Sequence, residues 1–401
     1  MTNDLLERFL RYVKINTMSE EGKSSTPSSA CQFDLANLLK TELEEMGLSD
    51  INLSESCILT AYLPSNTTSN LHIGLLAHLD TIPGFSGKDV TPNVIYNYDG
   101  KDIKLPYLTI KAKEFAFLKE LKGKTLITTD GTTVLGADDK AGVAEIMALL
   151  KYLTSNPEIK HHHIHVAFTP DEEIGTGIDK FDVKSFPCDY AYTVDGGTFN
   201  EIAYNNFNAS SAEVNFKGLD IHPGDAKGHM LNASLIAMEY QSLLPVFANP
   251  MYTEGLEGFI HLCEMKGEVG SATLNYIIRE HDLKKLHNLE RQMLEAAKFI
   301  NTKYPKDTCE IKITPNYYNM YEIIKKDKRS IVRATRAIKD LGYEVISSPI
   351  RGGTDGAKLT QMGLNTPNLG TGGYNCHGPY ELACLEEMAI VVKILLNIVK
   401  A

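Results

Sequence analysis

The sequence is short of several features that would place it in a specialised class. Its seven cysteines (Cys31, Cys57, Cys188, Cys263, Cys309, Cys376 and Cys384) are odd in number and never in C-x-x-C spacing, which argues against a disulfide framework and against a cysteine-bound zinc. Positive charge is in deficit. The 40 lysines and arginines face 51 aspartates and glutamates, a net charge of −11 that disfavours a nucleic-acid partner. Long apolar runs are missing as well: Met388 to Val399 is broken by Lys393 and Asn397 and falls short of the roughly 20 residues a membrane helix needs, so no membrane partner is expected. The start, MTNDLLERFLRYVKI, lacks the basic segment, apolar stretch and cleavage site of a secretory signal, and a cytoplasmic location is expected. No G-x-G-x-x-G follows a strand and opens a helix, which leaves an oxidoreductase unsupported.

What remains is an ordinary globular composition of 401 residues, 43% hydrophobic and 23% charged. At roughly 100 to 200 residues per domain it holds two or three domains with ample core, so a metal is not needed for folding and would serve chemistry. Leu6, Phe9, Leu10 and Val13, then Leu35, Leu38, Leu39, Leu43 and Met46 before Gly47, read as helices. The apolar runs HIGLLAH (72–78) and HIHVAFT (163–169) read as buried strands of an α/β fold with a mostly parallel sheet. Residues 90–125 show no period and read as a surface excursion.

From about residue 207 the order becomes β-α-β-β-α-β, the pattern of a ferredoxin-like α+β unit. Residues 207–318 are therefore expected to form an inserted second domain, and 1–206 with 319–401 a discontinuous first one.

Three motifs follow apparent strands of the first domain. His78-Leu79-Asp80 ends HIGLLAH, and residues two apart on a strand project together. A zinc-bound imidazole commonly passes its second N–H to a carboxylate, and Asp80 is placed to take it. Gly136-Ala137-Asp138-Asp139-Lys140 opens a helix with one aspartate more than capping needs. Thr169-Pro170-Asp171-Glu172-Glu173 leaves the strand HIHVAFT. Asp195, before two glycines, and His377, in GTGGYNCHG, complete the candidates. In open α/β sheets the ligand crevice lies beyond the carboxyl ends of the strands, so these groups should converge. Two histidines and three carboxylates suit zinc, and can hold two ions that share a carboxylate. One of Glu172 and Glu173 would then be free to act as base. His161, His162, His163 and His165 are read as structural, at the far end of the strand or on different faces.

Together, HLD (78–80), LGADDKAG (135–142), FTPDEEIG (168–175), VDGG (194–197) and TGGYNCHG (371–378), with IHPGDAKG, YIIR and RGGTDG between the last two, resemble the co-catalytic dizinc metallopeptidases. That family includes aminoacylase, carboxypeptidase G and succinyl-diaminopimelate desuccinylase, and the likeness is strongest to its tripeptide-aminopeptidase branch. The resemblance implies a zinc-peptidase-like α/β/α sandwich and a lid or dimerisation domain, so a homodimer through 207–318. It implies two zinc ions per subunit, with His78 on one, His377 on the other, Asp138 bridging, and Glu173 and Asp195 completing the shells. It makes Glu172 the general base and Asp80 the group orienting His78. In the lid, His222 would reach the scissile carbonyl oxygen and Arg279 a substrate carboxylate, with Arg351 a further substrate contact. The expected reaction is removal of the N-terminal residue from tripeptides. The alternatives are a dipeptidase or N-acyl-amino-acid amidohydrolase with the same centre and, from another class, a metal-holding binding protein without turnover.

Overall fold

The strand His72–His78 is buried from Ile73 onward because it is the middle strand of a seven-stranded sheet. This is seen in a computed structural model that describes residues 2–401; Met1, which opens the expected 1–206 domain, lies outside the described residues. The spatial order is Ser49–Leu53, Leu59–Leu63, His163–Thr169, His72–His78, Tyr190–Val194, Asn368–Leu369 and Ile202–Ala203. The three central pairings are parallel and the outer ones antiparallel, so the sheet is mixed, and parallel where the motifs are. His78, Thr169 and Val194 thereby end neighbouring strands on one edge.

Helices cover both faces. Ala137–Ser155 is apolar nearly all round, as a helix enclosed on every side must be. It lies between the sheet and the helices Thr2–Tyr12 and Leu385–Val399. On the opposite face Ile178, Phe181, Phe186, Leu359 and Leu364 form a smaller core. At Gly142 the central helix touches the sheet backbone to backbone: a Cβ there would fall 1.8 Å from the Val194 carbonyl oxygen and 2.6 Å from Asp139 Oδ1. Only glycine lets Asp138, near the start of this helix, lie beside Asp195, which follows Val194.

Residues 90–125 are more than a surface excursion. Short strands at Asn93–Ile95 and Leu126–Thr128 bracket a cluster of Tyr98, Ile103, Leu105, Ile110, Leu118 and Leu121 that closes on Leu382 and Cys384.

The chain divides into two compact units. The first runs to Tyr204 and resumes over Glu322–Ser348 and Thr354–Ala401; the second comprises Asn205–Tyr321 and Pro349–Gly353. Within the second, Phe259–Gly267, Ser271–Glu280, Asn208–Lys217 and Cys309–Tyr317 form an antiparallel sheet in that order, the ferredoxin-like arrangement. Its helices Ala233–Ser242 and Leu283–Lys303 are capped by Asn232 and Asp282, and Phe216, Tyr240, Tyr276, Met293 and Ile300 fill the core.

The histidine-rich segment sits at the amino end of the parallel strands, away from His78. His163 and His165 share a face, which corrects the expectation of different faces for that pair. His72 stacks on His163 at 4.2 Å between ring centroids, and its Nδ1 lies 2.9 Å from His165 Nε2. Tyr62 stacks on His165 and reaches His163 Nδ1, which also accepts the Ser65 N–H.

Two predictions follow from this packing. Gly142→Ala forces helix and strand apart and should destabilise the protein by about 2 kcal/mol or more, measured by urea unfolding, since overpacking a tight core costs about 1–3 kcal/mol. Burial, with His72 and His163 alongside, pushes His165 down to about 4. The unfolded chain therefore takes up this proton first. The contribution is fully present above the ordinary histidine value near 6.5 and is lost as pH falls towards 4, by roughly 2 kcal/mol. Unfolding free energies of His165→Leu should show a shallower decline over that window, and an unchanged slope would refute the assignment.

Candidate active site

Three parallel strands deliver their groups to one corner. His78, 2% exposed, ends its strand with Nδ1 facing Asp80, 3.0 Å from the backbone oxygen and 3.3 Å from Oδ1. That leaves Nε2 directed at Asp138 Oδ1, 3.0 Å away, with Asp195 Oδ1 at 3.8 Å. The other oxygen of Asp138 stands 3.0 Å from Nε2 of His377, so one carboxylate lies between two imidazoles. His377 also lies 3.0 Å from Glu173 Oε1.

The neighbouring acids hold backbone. Asp139 points away from the histidine rings, its Oδ2 accepting the N–H of His78 at 3.0 Å. The two aspartates of the motif are thus separated by geometry. Asp80 accepts the N–H groups of Glu172 and Glu173 at 2.9 and 3.2 Å, so it fixes the acidic turn as well as the His78 ring. Asp171 is wholly buried, held by Ser28 and Gln32.

Electrostatics favour a cation here. Burial tends to raise Asp138, but hydrogen bonds with His377 and His78 outweigh it and hold the carboxyl well below its ordinary range. The hydrogen bond to Asp138, with the carboxylate of Glu173 close by, pushes His377 up to about 10. Burial, reinforced by Asp195, drives Glu172 well above the ordinary carboxyl value, and burial with Asp139 does the same to Asp195. Glu173 Oε1 is buried and, despite its closeness to His377, makes no aligned hydrogen bond. His78, Glu172 and Asp195 present donor atoms within 4.8 Å of one another, as do His78, Asp138 and Glu173. This oxygen and nitrogen set, with acids in excess and an orphaned buried oxygen, fits divalent cations of the zinc type.

The remaining candidates lie in the second unit. His222 heads a turn with its side chain 80% exposed, and its Nδ1 accepts the Gly224 N–H at 3.1 Å. Arg279 stacks over Tyr317 and donates to the carbonyls of Ser210 and Ile278. Arg351, expected as a further substrate contact, is engaged within its own unit. Its terminal nitrogens donate to Gly255, Glu257 and Thr253, and its guanidinium covers Phe207 and Phe259, so it braces the 253–257 segment.

Two buried acids at the site were not singled out from sequence. Asp355 of RGGTDG accepts from Thr169 at 2.8 Å, and Glu381 accepts from the loop that carries Asp138. Glu381, four residues after His377 and ahead of the apolar Leu382-Ala383-Cys384, offered a faint signal: an acid entering a buried strand needs a partner.

A mixed α/β sheet flanked by helices, with imidazoles and carboxylates gathered at the ends of its parallel strands, defines a hydrolase of the metallopeptidase class. The model of peptidase family M20/M25/M40 matches residues 134–401, and the chain belongs to that family. Similarity to individual relatives extends over His78 as well. The chain is 47% identical to a peptidase T of Caldanaerobacter subterraneus over 400 residues, covering 99% of this chain and 98% of that one. It is 48% identical to one from Clostridium perfringens over 396 residues, covering 98% of each. Among solved structures, an aminopeptidase PepT of Bacillus cereus superposes with a TM-score of 0.78 at 19% identity, covering 100% of this chain and 98% of that one. A tripeptidase of Staphylococcus aureus gives 0.80 at 20%, with the same coverage. At that identity the structural likeness speaks for the fold.

Zinc added to chelator-stripped protein should raise the unfolding free energy, by about 2.7 kcal/mol at 100 times its dissociation constant. Asp138→Asn should lose most of that gain, as read by calorimetry with and without zinc. Equal gains in both proteins would rule out Asp138 as a ligand.

Proposed function

We propose that the chain is a metallo-aminopeptidase that removes the N-terminal residue of tripeptides, with two zinc ions per subunit on His78, Asp138, Glu173, Asp195 and His377. The observation that carries this reading is the Asp138 carboxylate, 3.0 Å from His78 on one side and 3.0 Å from His377 on the other. Peptidase T relatives at 46–48% identity over nearly the whole chain support the substrate class.

A bound ion pair would supply an acidified water and a polarised scissile carbonyl. The chain's own groups do the rest. Glu172, raised by burial and by Asp195, takes the proton from the attacking water and returns it to the leaving amine, because a carboxyl tuned upward exchanges protons near neutral pH. Asp80 keeps the His78 ring in one orientation and anchors the turn that carries Glu172. The roles we assign to the second unit are those of lid and homodimer surface, His222 serving to stabilise the developing oxyanion and Arg279 to bind the C-terminal carboxylate of the peptide. A carboxylate grip of this kind restricts the enzyme to short peptides, since a longer chain carries its terminal charge out of reach.

Among the described residues no helix is long and apolar enough to cross a membrane. The net charge of −11 is what supports the reading that no nucleic acid is a partner.

Glu172→Ala should retain its zinc and lose about 10²- to 10⁴-fold in kcat, the usual worth of a general base. A metal-holding binding protein would instead keep its peptide affinity and show no turnover to lose. Hydrolysis rates for free and N-acylated di-, tri- and tetrapeptides test the substrate class. Free tripeptides should lead, and preference for a dipeptide or an acylated amine would move the chain to the dipeptidase or amidohydrolase reading.

A further inference from the structure

The loop that carries His377 also carries a buried acid with no role in the reaction. Glu381 is 1% exposed, and its own N–H donates to the Gly378 carbonyl at 3.2 Å, so it closes the turn that follows His377. Its two oxygens leave that turn in the same direction. Oε2 accepts the N–H of Gly136 at 2.8 Å and Oε1 the N–H of Asp138 at 3.0 Å. Gly136 has a φ of +76° and Asp138 is non-helical, so this stretch lacks the repeating hydrogen bonds that would hold it by itself. Its two N–H groups are satisfied from a segment more than 240 residues further along the chain.

We propose that Glu381 is a positioning residue for the two-cation centre, setting the separation between His377 and Asp138 by clamping the Gly136–Asp138 backbone to the His377 turn. The inference rests on the two-cation reading above and adds a residue to it. The clamp joins two pieces of defined backbone. On one side the central helix is fixed against the sheet at Gly142, and on the other His377 stands at a φ of +69° within the turn. Lys140, fully buried on the same helix, feels the charge of Glu381, and its Nζ donates to the Ile15 carbonyl at 2.7 Å. The carboxylate is needed in this place because both groups it meets are donors. An amide would turn an N–H toward one of them, and the backbone beneath Asp138 would have to move.

The test is Glu381→Gln in the full chain, stripped of metal and titrated with cobalt(II), whose visible absorption reports ligand geometry. Wild type should take up two cobalt ions. The variant should bind one with near-normal affinity and the other at least about tenfold more weakly, with an altered spectrum, in the range seen when groups supporting metal ligands are removed. In the zinc form kcat should fall while KM stays within about twofold. Two cobalt ions bound with wild-type affinity and spectrum would overturn the proposal, whatever happens to thermal stability. Wild type binding fewer than two would instead overturn the two-cation reading beneath it. If the glutamine variant does not fold, as judged by circular dichroism, Glu381→Asp takes its place. It keeps the charge but withdraws the carboxylate by one methylene, and should show the same uneven loss. Failure of both variants to fold would count against a positioning role and for a purely structural one.

Discussion

One carboxylate must reach two histidines that are 60 residues away in one direction and 239 in the other, and much of the site's architecture answers to that requirement. Asp138 can do so because the helix behind it is packed directly on a sheet strand, backbone against backbone, where Gly142 meets the Val194 carbonyl. The same contact places Asp195 within reach of His78. A side chain at Gly142 would displace the helix, Asp138 and the Asp195 strand together.

Around this centre buried acids act chiefly on backbone. Asp139 holds the N–H of His78, Asp80 the N–H groups of Glu172 and Glu173, Asp171 that of Ser28, and Glu381 those of Gly136 and Asp138. Each lies at a strand end or in irregular backbone, where donors lack a helical or sheet partner. Where an acid accepts a single N–H, as Asp139 does from His78, a neutral acceptor would satisfy the hydrogen bond as well. Using carboxylates crowds negative charge into a desolvated corner, which costs stability unless a cation is present. The supporting groups and the ligand set thus favour the same occupant.

The sequence foretold the fold well where its pattern was local and repeated. The runs 72–78 and 163–169 are strands over those residues, and the β-α-β-β-α-β order emerges as a four-stranded antiparallel sheet with two helices. It was less informative where a structure is assembled from short pieces. Residues 90–125 have no period because their strands are two or three residues long and their core is completed by Leu382 and Cys384 from far along the chain. Pro349–Gly353 packs with the second unit although its sequence neighbours belong to the first, a crossing that no pattern of apolar residues encodes. The same distinction holds at the site. Polar residues closing apolar runs drew attention to His78, Glu172 and Asp195. Glu381 and Asp355 escaped notice because their partners are a backbone N–H and a threonine hydroxyl, neither of which leaves a mark in the sequence. Arg351 came forward from the family resemblance alone, and the carbonyl oxygens it meets are likewise invisible in the sequence.

The parallel strands have two chemically different ends, and histidine serves opposite purposes at each. At the carboxyl end His78 and His377 face acids, and the carboxylates beside His377 push it up to about 10. At the amino end His72, His163 and His165 face one another and an aromatic ring, and His165 is driven down to about 4. Burial opposes charge in both places, so the sign of the shift is set by the partners that the strand register brings alongside. Parallel pairing sets His72 opposite His163 and His78 opposite Thr169, just ahead of the acidic turn. A slip of one residue would move every one of these side chains to the other face of the sheet. The register that buries the apolar run between them therefore also decides which histidines meet carboxylates and which meet other imidazoles. Two apolar segments paired in parallel, HIGLLAH and HIHVAFT, build a cation-seeking corner at one end and a stack of rings at the other.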